Sequence, residues 1–308
     1  MAVRRSNILP NFLIVGAAKC GTSSIATYLN QHPDVYLSPI KEPKFISSQF
    51  IRSPLRGRGD DFIEGYSVKT FQEYRRLFRN VRNESAVGEA SVENLYYYRQ
   101  AIPLIRKLFG DVRIIIVLRN PIDRAFSAYK NMLRDMREDL SFEEGLKQEE
   151  RRRQENWEFL WSYTDVGFYS KQVEAYLTSF SRVKICLFDD FVKDGVGFMQ
   201  DLFRFLDVDP AFTPNLEYRV NTSGVPVRNV LIRLLFRASG LKGSVYKFLA
   251  MNGFPEEMIF LIVEYFRRMI MTNIKIKPET RAYLKELYRE DILALQGLLE
   301  RPLYIWLK

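Results

Sequence analysis

Apolar residues in this chain gather into short unbroken runs, and the stretches between the runs repeat their apolar positions at helical spacing. Asn11-Phe-Leu-Ile-Val-Gly16 is an apolar run closed by glycine; Gly21 to Asn30 then reads as a helix with Ile25, Tyr28 and Leu29 on one side. Arg113-Ile-Ile-Ile-Val-Leu118 is continuously apolar and β-branched, which predicts a strand buried on both faces of a parallel sheet. Asn120-Pro-Ile-Asp123 opens the next helix: Asn is a good N-cap, Pro121 suits the first helical position, and Ile122, Phe126, Tyr129 and Leu133 form its apolar stripe. Further strands are expected at Val183 to Phe188 and at Ala86 to Gly88. Helical patterns run through Leu95, Tyr98, Ile102, Ile105 and Phe109, through Tyr169, Val173, Tyr176 and Phe180, and through Phe198, Leu202 and Phe205.

Strand and helix in alternation argue for an α/β fold built on a mostly parallel sheet flanked by helices. From about Val230 the strand signal disappears. Two helical stretches, about Glu256 to Met271 and Glu279 to Leu299, close the chain, and no Pro/Ser/Gly linker precedes them. They are expected to pack on the same core, which makes residues 1–308 one domain. The polar stretch Arg52 to Lys69 reads as a surface loop placed to lie over a site.

Composition narrows the chemistry. With 46 Lys and Arg against 37 Asp and Glu in 308 residues, the formal charge is +9, which favours an anionic partner. Two cysteines, Cys20 and Cys186, are too few for a disulfide framework or a thiolate metal site and point to a reducing compartment. No apolar run approaches the roughly 20 residues of a membrane helix, so the expected location is the cytoplasm. His32, the lone histidine, excludes any mechanism that needs two. The basic run Arg151-Arg-Arg153 is countered by Glu149, Glu150 and Glu155 and reads as a solvated helix face, so nucleic acid is not an expected partner.

The strongest chemical signal is Gly16-Ala-Ala-Lys-Cys-Gly-Thr-Ser-Ser24, between a strand and a helix. In that context backbone N–H groups and the positive helix end hold a phosphate, so the sheet is of P-loop type. Gly16 and Gly21 have the spacing of a nucleotide triphosphatase loop. The residue after Gly21 is Thr22, however, and the lysine lies inside the loop as Lys19. Without the lysine that reaches β- and γ-phosphates beside magnesium, a P-loop kinase or hydrolase is the second reading, and no metal is expected.

Phe12-Leu-Ile-Val-Gly-Ala-Ala-Lys-Cys-Gly-Thr-Ser-Ser, followed by Asn30-Gln-His-Pro-Asp-Val35, resembles the 5′-phosphosulfate loop of the sulfotransferases that use 3′-phosphoadenosine 5′-phosphosulfate (PAPS). Leu118-Arg-Asn-Pro-Ile-Asp-Arg-Ala-Phe-Ser-Ala-Tyr129 is similar to that family's 3′-phosphate segment, and Leu287-Tyr-Arg-Glu-Asp-Ile292 with Trp306 to its C-terminal end. The resemblance implies that Lys19, Cys20, Gly21, Thr22, Ser23 and Ser24 surround the 5′-phosphosulfate, with Lys19 neutralising the leaving oxygen. It implies that Arg119 and Ser127 bind the 3′-phosphate. Ser127 lies on the order of 10 Å along the helix from Asn120, so that phosphate would rest on the helix flank. Tyr218 to Arg228 is similar to the loop that folds over the nucleotide, which nominates Asn221, Ser223, Gly224 and Arg228.

Sulfuryl transfer to a hydroxyl needs a base beside the acceptor proton. His32, before Pro33, is expected to cap or pack. Glu42, in Pro39-Ile-Lys-Glu-Pro-Lys-Phe45, resembles the glutamate of the glycan-sulfating branch, and Lys41 and Lys44 would hold it ionised. That branch commonly carries Glu-Lys-Ser/Thr-Pro where this chain has Gly88-Glu-Ala-Ser-Val92, so Ala90 replaces a substrate-side lysine. The implied acceptor is a hydroxyl of a carbohydrate or glycolipid, with a small metabolite or a carrier-bound acyl chain as alternatives.

Overall fold

The structure is a computed structural model that describes residues 8–217 and 274–308, together with the backbone of two short strands at 225–226 and 271–272. The expected helix at Glu256 to Met271 lies outside the described residues. In chain order the elements are β1 (Phe12–Gly16), α1 (Thr22–Leu29), β2 (Val35–Leu37), α2 (Phe45–Ser48), α3 (Asp60–Gly65), α4 (Phe71–Arg76) and β3 (Ala86–Ala90). Next come α5 (Glu93–Tyr96), α6 (Tyr98–Phe109), β4 (Arg113–Leu118), α7 (Pro121–Arg134), α8 (Phe142–Gln154), α9 (Ser170–Ser179) and β5 (Val183–Leu187). Then follow α10 (Phe188–Lys193), α11 (Gly195–Leu206), β6 (Val225–Pro226), β7 (Met271–Thr272) and α12 (Pro278–Leu299).

Five strands form a sheet of order β2-β3-β1-β4-β5 in which every neighbouring pair is parallel. The unbroken apolar runs explain the centre of it. Phe12 to Val15 and Ile114 to Leu118 are wholly buried, as strands covered by helices on both faces must be. Each such side chain stabilises the fold by about 1.5–3 kcal/mol through burial. The predicted cap of α7 is present, with Asn120 Oδ1 accepting from the Ile122 N–H at 3.0 Å. The long pattern from Leu95 to Phe109 is divided between α5 and α6, because the backbone turns at Tyr97 and sets Leu95 against Gly16. In α12, Leu284, Tyr288, Ile292 and Leu295 form the buried stripe and join the core around the sheet. The Asp291 carboxylate receives the Tyr169 N–H at 2.7 Å and so ties α12 to the start of α9.

Two sequence expectations change. Arg151-Arg-Arg153 is not wholly a solvated face. Arg152 is buried, donates from both terminal nitrogens to Glu138 at 2.7 and 3.1 Å, and stacks over Trp161 at 4.6 Å. Glu149 likewise turns inward to accept from Thr164. A charge run read from the sequence does not reveal which member has a buried counter-ion.

The second change concerns Arg52 to Lys69, which contains α3 and is anchored by a buried acid. Asp60 is fully buried and accepts from the N–H groups of Gly57 and Glu158, each at 2.8 Å, from Trp161 Nε1 at 3.0 Å, and from Arg137. Removing one partner of a buried, hydrogen-bonded charge pair costs about 3–5 kcal/mol. Asp60→Ala is therefore expected to lower unfolding stability by about 3 kcal/mol in urea titration and to make this segment the first site of limited proteolysis. A stability equal to that of the parent chain contradicts the anchoring.

Candidate functional site

All five parallel strands deliver their carboxyl ends to one edge of the sheet, where open α/β folds bind ligands. β1 runs into Gly16 to Gly21, β2 leads toward Glu42, β3 into Ser91 and Glu93, and β4 into Arg119. Segments far apart in sequence therefore meet at one rim.

The phosphate loop depends on Gly21. Its φ of 85° lies in the left-handed region, and a Cβ there would sit 2.7 Å from carbons of the Phe188 ring. α1 starts directly after it with no side-chain cap and no acidic residue in its first turn. The hydroxyls of Thr22, Ser23 and Ser24 make no hydrogen bond to a described residue. The start of the helix thus presents donors without competition. Cys20 is different: its thiol points into the core beside Tyr169 at 3.7 Å, where burial pushes its pKa up, so only its backbone faces the loop.

Lys19, inside the loop, also has a left-handed backbone, with φ 70°. Its Nζ donates to Asn131 Oδ1 at 2.5 Å, and Arg134 Nη2 donates to the same oxygen at 2.8 Å. Burial, and after it the Arg134 guanidinium, lower the Lys19 pKa to about 8; Asp135 and Glu42 act in the opposite direction. Sequence reading missed Asn131 and Arg134. Their signal was present, since Ser127, Asn131 and Arg134 recur at i, i+4 and i+7 on the face of α7 opposite its apolar stripe.

Glu42 stands between two lysines. Its Oε1 lies 3.3 Å from Lys41 Nζ and its Oε2 3.8 Å from Lys44 Nζ. Burial alone would raise its pKa, but Lys44, Lys41 and Lys19 outweigh that and hold the carboxyl below its usual range. The sequence expectation that flanking lysines favour the ionised form agrees with this geometry. Glu42 and Lys44 both have left-handed φ values, 53° and 55°. A non-glycine residue held there costs about 1–3 kcal/mol, and such strain concentrates at functional sites.

Behind Glu42 lies a buried polar chain. Lys44 Nζ is 3.5 Å from Glu93 Oε2, Ser47 Oγ donates to Glu93 Oε1 at 2.8 Å, and Ser91 Oγ donates to Glu89 Oε2 at 2.7 Å. Burial raises the Glu89 pKa to about 8. Ala90 is buried in β3 opposite Ile14.

On the other flank, the Arg119 guanidinium lies over the Phe188 ring at 5.0 Å, and Ser127 is half-buried on α7. Lys130, also overlooked in the sequence, has its pKa lowered by burial and by Arg119. His32 is remote from these groups. It is buried, with Nδ1 accepting from the Asp34 N–H and Nε2 facing the Asp209 carbonyl, each at 3.0 Å. Asn221, Ser223, Gly224 and Arg228 lie outside the described residues. Among the described residues no cluster of His, Cys, Asp and Glu could hold a metal ion.

A parallel sheet, a glycine turn and an uncapped helix preceded by a loop lysine make this an α/β protein with a cationic group at the carboxyl ends of its strands. Comparison with known proteins gives the family. A model of the sulfotransferase family matches residues 10–214, and the chain belongs to that family. The chain is 35% identical to a solved sulfotransferase from Alicyclobacillus acidocaldarius, covering 98% of this chain and 100% of the other with a TM-score of 0.78. It is 27% identical over 227 residues to heparan sulfate glucosamine 3-O-sulfotransferase 3B1 of Mus musculus, which is 72% of this chain and 52% of that protein. It is also 27% identical over 154 residues to carbohydrate sulfotransferase 15 of Homo sapiens, 41% of this chain and 28% of that one. The chain thus spans between about a quarter and a half of these curated relatives.

The depressed Lys19 pKa gives a direct test of anion binding. At pH 8 its ammonium is about half protonated, and an anion that restores the charge must draw in a proton. Calorimetry of adenosine 3′,5′-bisphosphate at pH 8, in buffers of different ionisation enthalpy, is expected to show uptake of about half a proton that Lys19→Met abolishes. Equal uptake in both proteins contradicts the role of Lys19.

Proposed function

We propose that this protein moves the sulfuryl group of PAPS to a hydroxyl of a carbohydrate acceptor, with Glu42 as general base and Lys19 stabilising the leaving phosphate. The observation that carries this reading is that Glu42 and Lys19 act on each other electrostatically at one rim, the Glu42 carboxylate held ionised and the Lys19 ammonium short of counter-charge. A donor whose 5′-phosphosulfate and 3′-phosphate are both anionic supplies that counter-charge. The unpartnered hydroxyls of Thr22, Ser23 and Ser24 and the open start of α1 fit its 5′ end, and Arg119, Ser127 and Lys130 fit its 3′-phosphate.

When bound, the donor supplies an activated sulfuryl group whose S–O bond to the phosphate breaks as the acceptor oxygen attaches to sulfur. Glu42, kept deprotonated at neutral pH by its lowered pKa, takes the acceptor proton as the hydroxyl acidifies in the transition state. The Lys19 ammonium neutralises charge developing on the leaving oxygen. Asn131 holds that ammonium in place through the hydrogen bond at 2.5 Å. The names of the relatives, a heparan sulfate glucosamine 3-O-sulfotransferase and a carbohydrate sulfotransferase, support a carbohydrate acceptor.

Glu42→Gln is expected to lower kcat by about 10²–10⁴ while adenosine 3′,5′-bisphosphate binds at least as tightly as to the parent. Transfer at the parent rate rejects the assigned base. Arg119→Ala should weaken that bisphosphate by about 10–100-fold, as expected for a charged hydrogen bond, and leave adenosine 5′-monophosphate unaffected. An equal loss for both nucleotides places Arg119 elsewhere than at the 3′-phosphate.

A further inference from the structure

An aromatic pair stands in the open beside the turn that holds Glu42. Two hydrogen bonds fix the neighbourhood: the Val68 N–H donates to the Pro43 carbonyl at 2.8 Å, and Ser48 Oγ donates to the Val68 carbonyl at 2.9 Å. The residues just after α3 are thereby strapped to the turn Glu42-Pro43-Lys44 and to α2, while Asp60 pins the start of α3. Tyr66, two residues before Val68, feels both charges of that turn. Burial pushes its hydroxyl pKa up, Lys44 opposes the rise and Glu42 adds to it, so the phenol keeps its proton at neutral pH.

The partner of Tyr66 is Phe62, four residues earlier and so on the same side of α3. The two rings meet edge to face, with centroids 5.7 Å apart and planes at 62°. Phe62 is 74% exposed and Tyr66 37% exposed. The Tyr66 hydroxyl makes no hydrogen bond to a described residue. A single exposed aromatic residue is ordinary on a protein surface. Here an open ring, a second ring and an uncommitted phenol donor are held together next to the base, and any acceptor whose hydroxyl reaches Glu42 passes beside them.

The chemistry around the pair selects among acceptors. An acyl chain would lay methylene groups against Lys41, Glu42 and Lys44, whose charges need polar partners. A pyranose ring has one C–H face for an aromatic surface and hydroxyls at its edge for the polar groups. Resting on the sulfotransferase reading above, we propose that Phe62 and Tyr66 form the acceptor platform: the C–H face of a sugar ring stacks on Phe62, and the Tyr66 hydroxyl donates to the ring edge and so orients the reacting hydroxyl toward Glu42.

The test uses the full chain and needs no turnover. Saturation-transfer NMR, with irradiation of protein aromatic protons, is applied to cello-, laminari-, chito- and heparosan tetrasaccharides and to n-hexanol. The parent is expected to bind at least one tetrasaccharide, with the strongest transfer to the C–H protons of one ring face. Phe62→Ala should weaken that sugar about tenfold, Phe62→Trp should retain it, and Tyr66→Phe should weaken it about fivefold, the loss of one neutral hydrogen bond. Binding of adenosine 3′,5′-bisphosphate verifies that each variant is folded. Parent-like sugar affinity in Phe62→Ala or in Tyr66→Phe, or binding of no tetrasaccharide while the bisphosphate binds, overturns the proposal. Phe62-dependent binding of hexanol in place of any sugar also overturns it and assigns the pair to an alkyl acceptor. Failure of the parent to bind the bisphosphate, with the sugar results as expected, overturns the donor assignment and spares the platform.

Discussion

Lys19 places an ammonium group beside the Arg134 guanidinium and within reach of Lys41, in a half-buried loop where water screens poorly. Like charges so placed repel; Asn131 offers one oxygen to both donors and Asp135 pairs with Arg134 at 3.1 Å, while Lys19 has no carboxylate at ion-pair distance among the described residues. The left-handed backbone at Lys19 adds a local cost. The protein therefore holds ready a surplus of positive charge that an anion would satisfy, and the rest of the rim is arranged around that surplus.

The sheet makes the arrangement possible. Because β1 lies in the middle, with β3 on one side and β4 on the other, the loop after it is flanked by the ends of both neighbours. β4 and α7 contribute Arg119, Ser127, Asn131 and Arg134 on one flank, while the turn after β2 contributes Glu42 and β3 leads into Glu93 on the other. Lys19 on the loop after β1 and Glu42 on the turn after β2 thereby come to the same rim, between the α7 groups on one side and Lys44 with Glu93 on the other. Asp60 and its four donors fix the segment from Arg52 to Lys69.

The central strands were legible because Phe12 to Val15 and Ile114 to Leu118 are apolar at every position, a pattern only a doubly covered strand explains. The glycine loop after β1 was legible because Gly16 and Gly21 stand at phosphate-loop spacing between an apolar run and a helical pattern with Lys19 inside; the Phe188 ring that a Cβ at Gly21 would meet appears only in the fold. Less visible were groups whose meaning depends on distant partners. Arg152 looked solvated until Glu138 and Trp161 were found against it. Glu158 carries no motif, and its burial without a hydrogen-bond donor is visible only in three dimensions. Asn131 and Arg134 form an intermediate case, legible as a polar stripe on α7 once Ser127 is taken as its first member.

In the proposed function the displaced lysine serves an adenylate bearing a 3′-phosphate and not a triphosphate with its metal. Calorimetric titration of the full chain with adenosine 3′,5′-bisphosphate in the presence of a chelator, set against ATP with magnesium, tests it most directly. Saturable binding of the bisphosphate that magnesium does not strengthen is expected, with weaker binding of the triphosphate. Tighter, magnesium-dependent binding of ATP would contradict it.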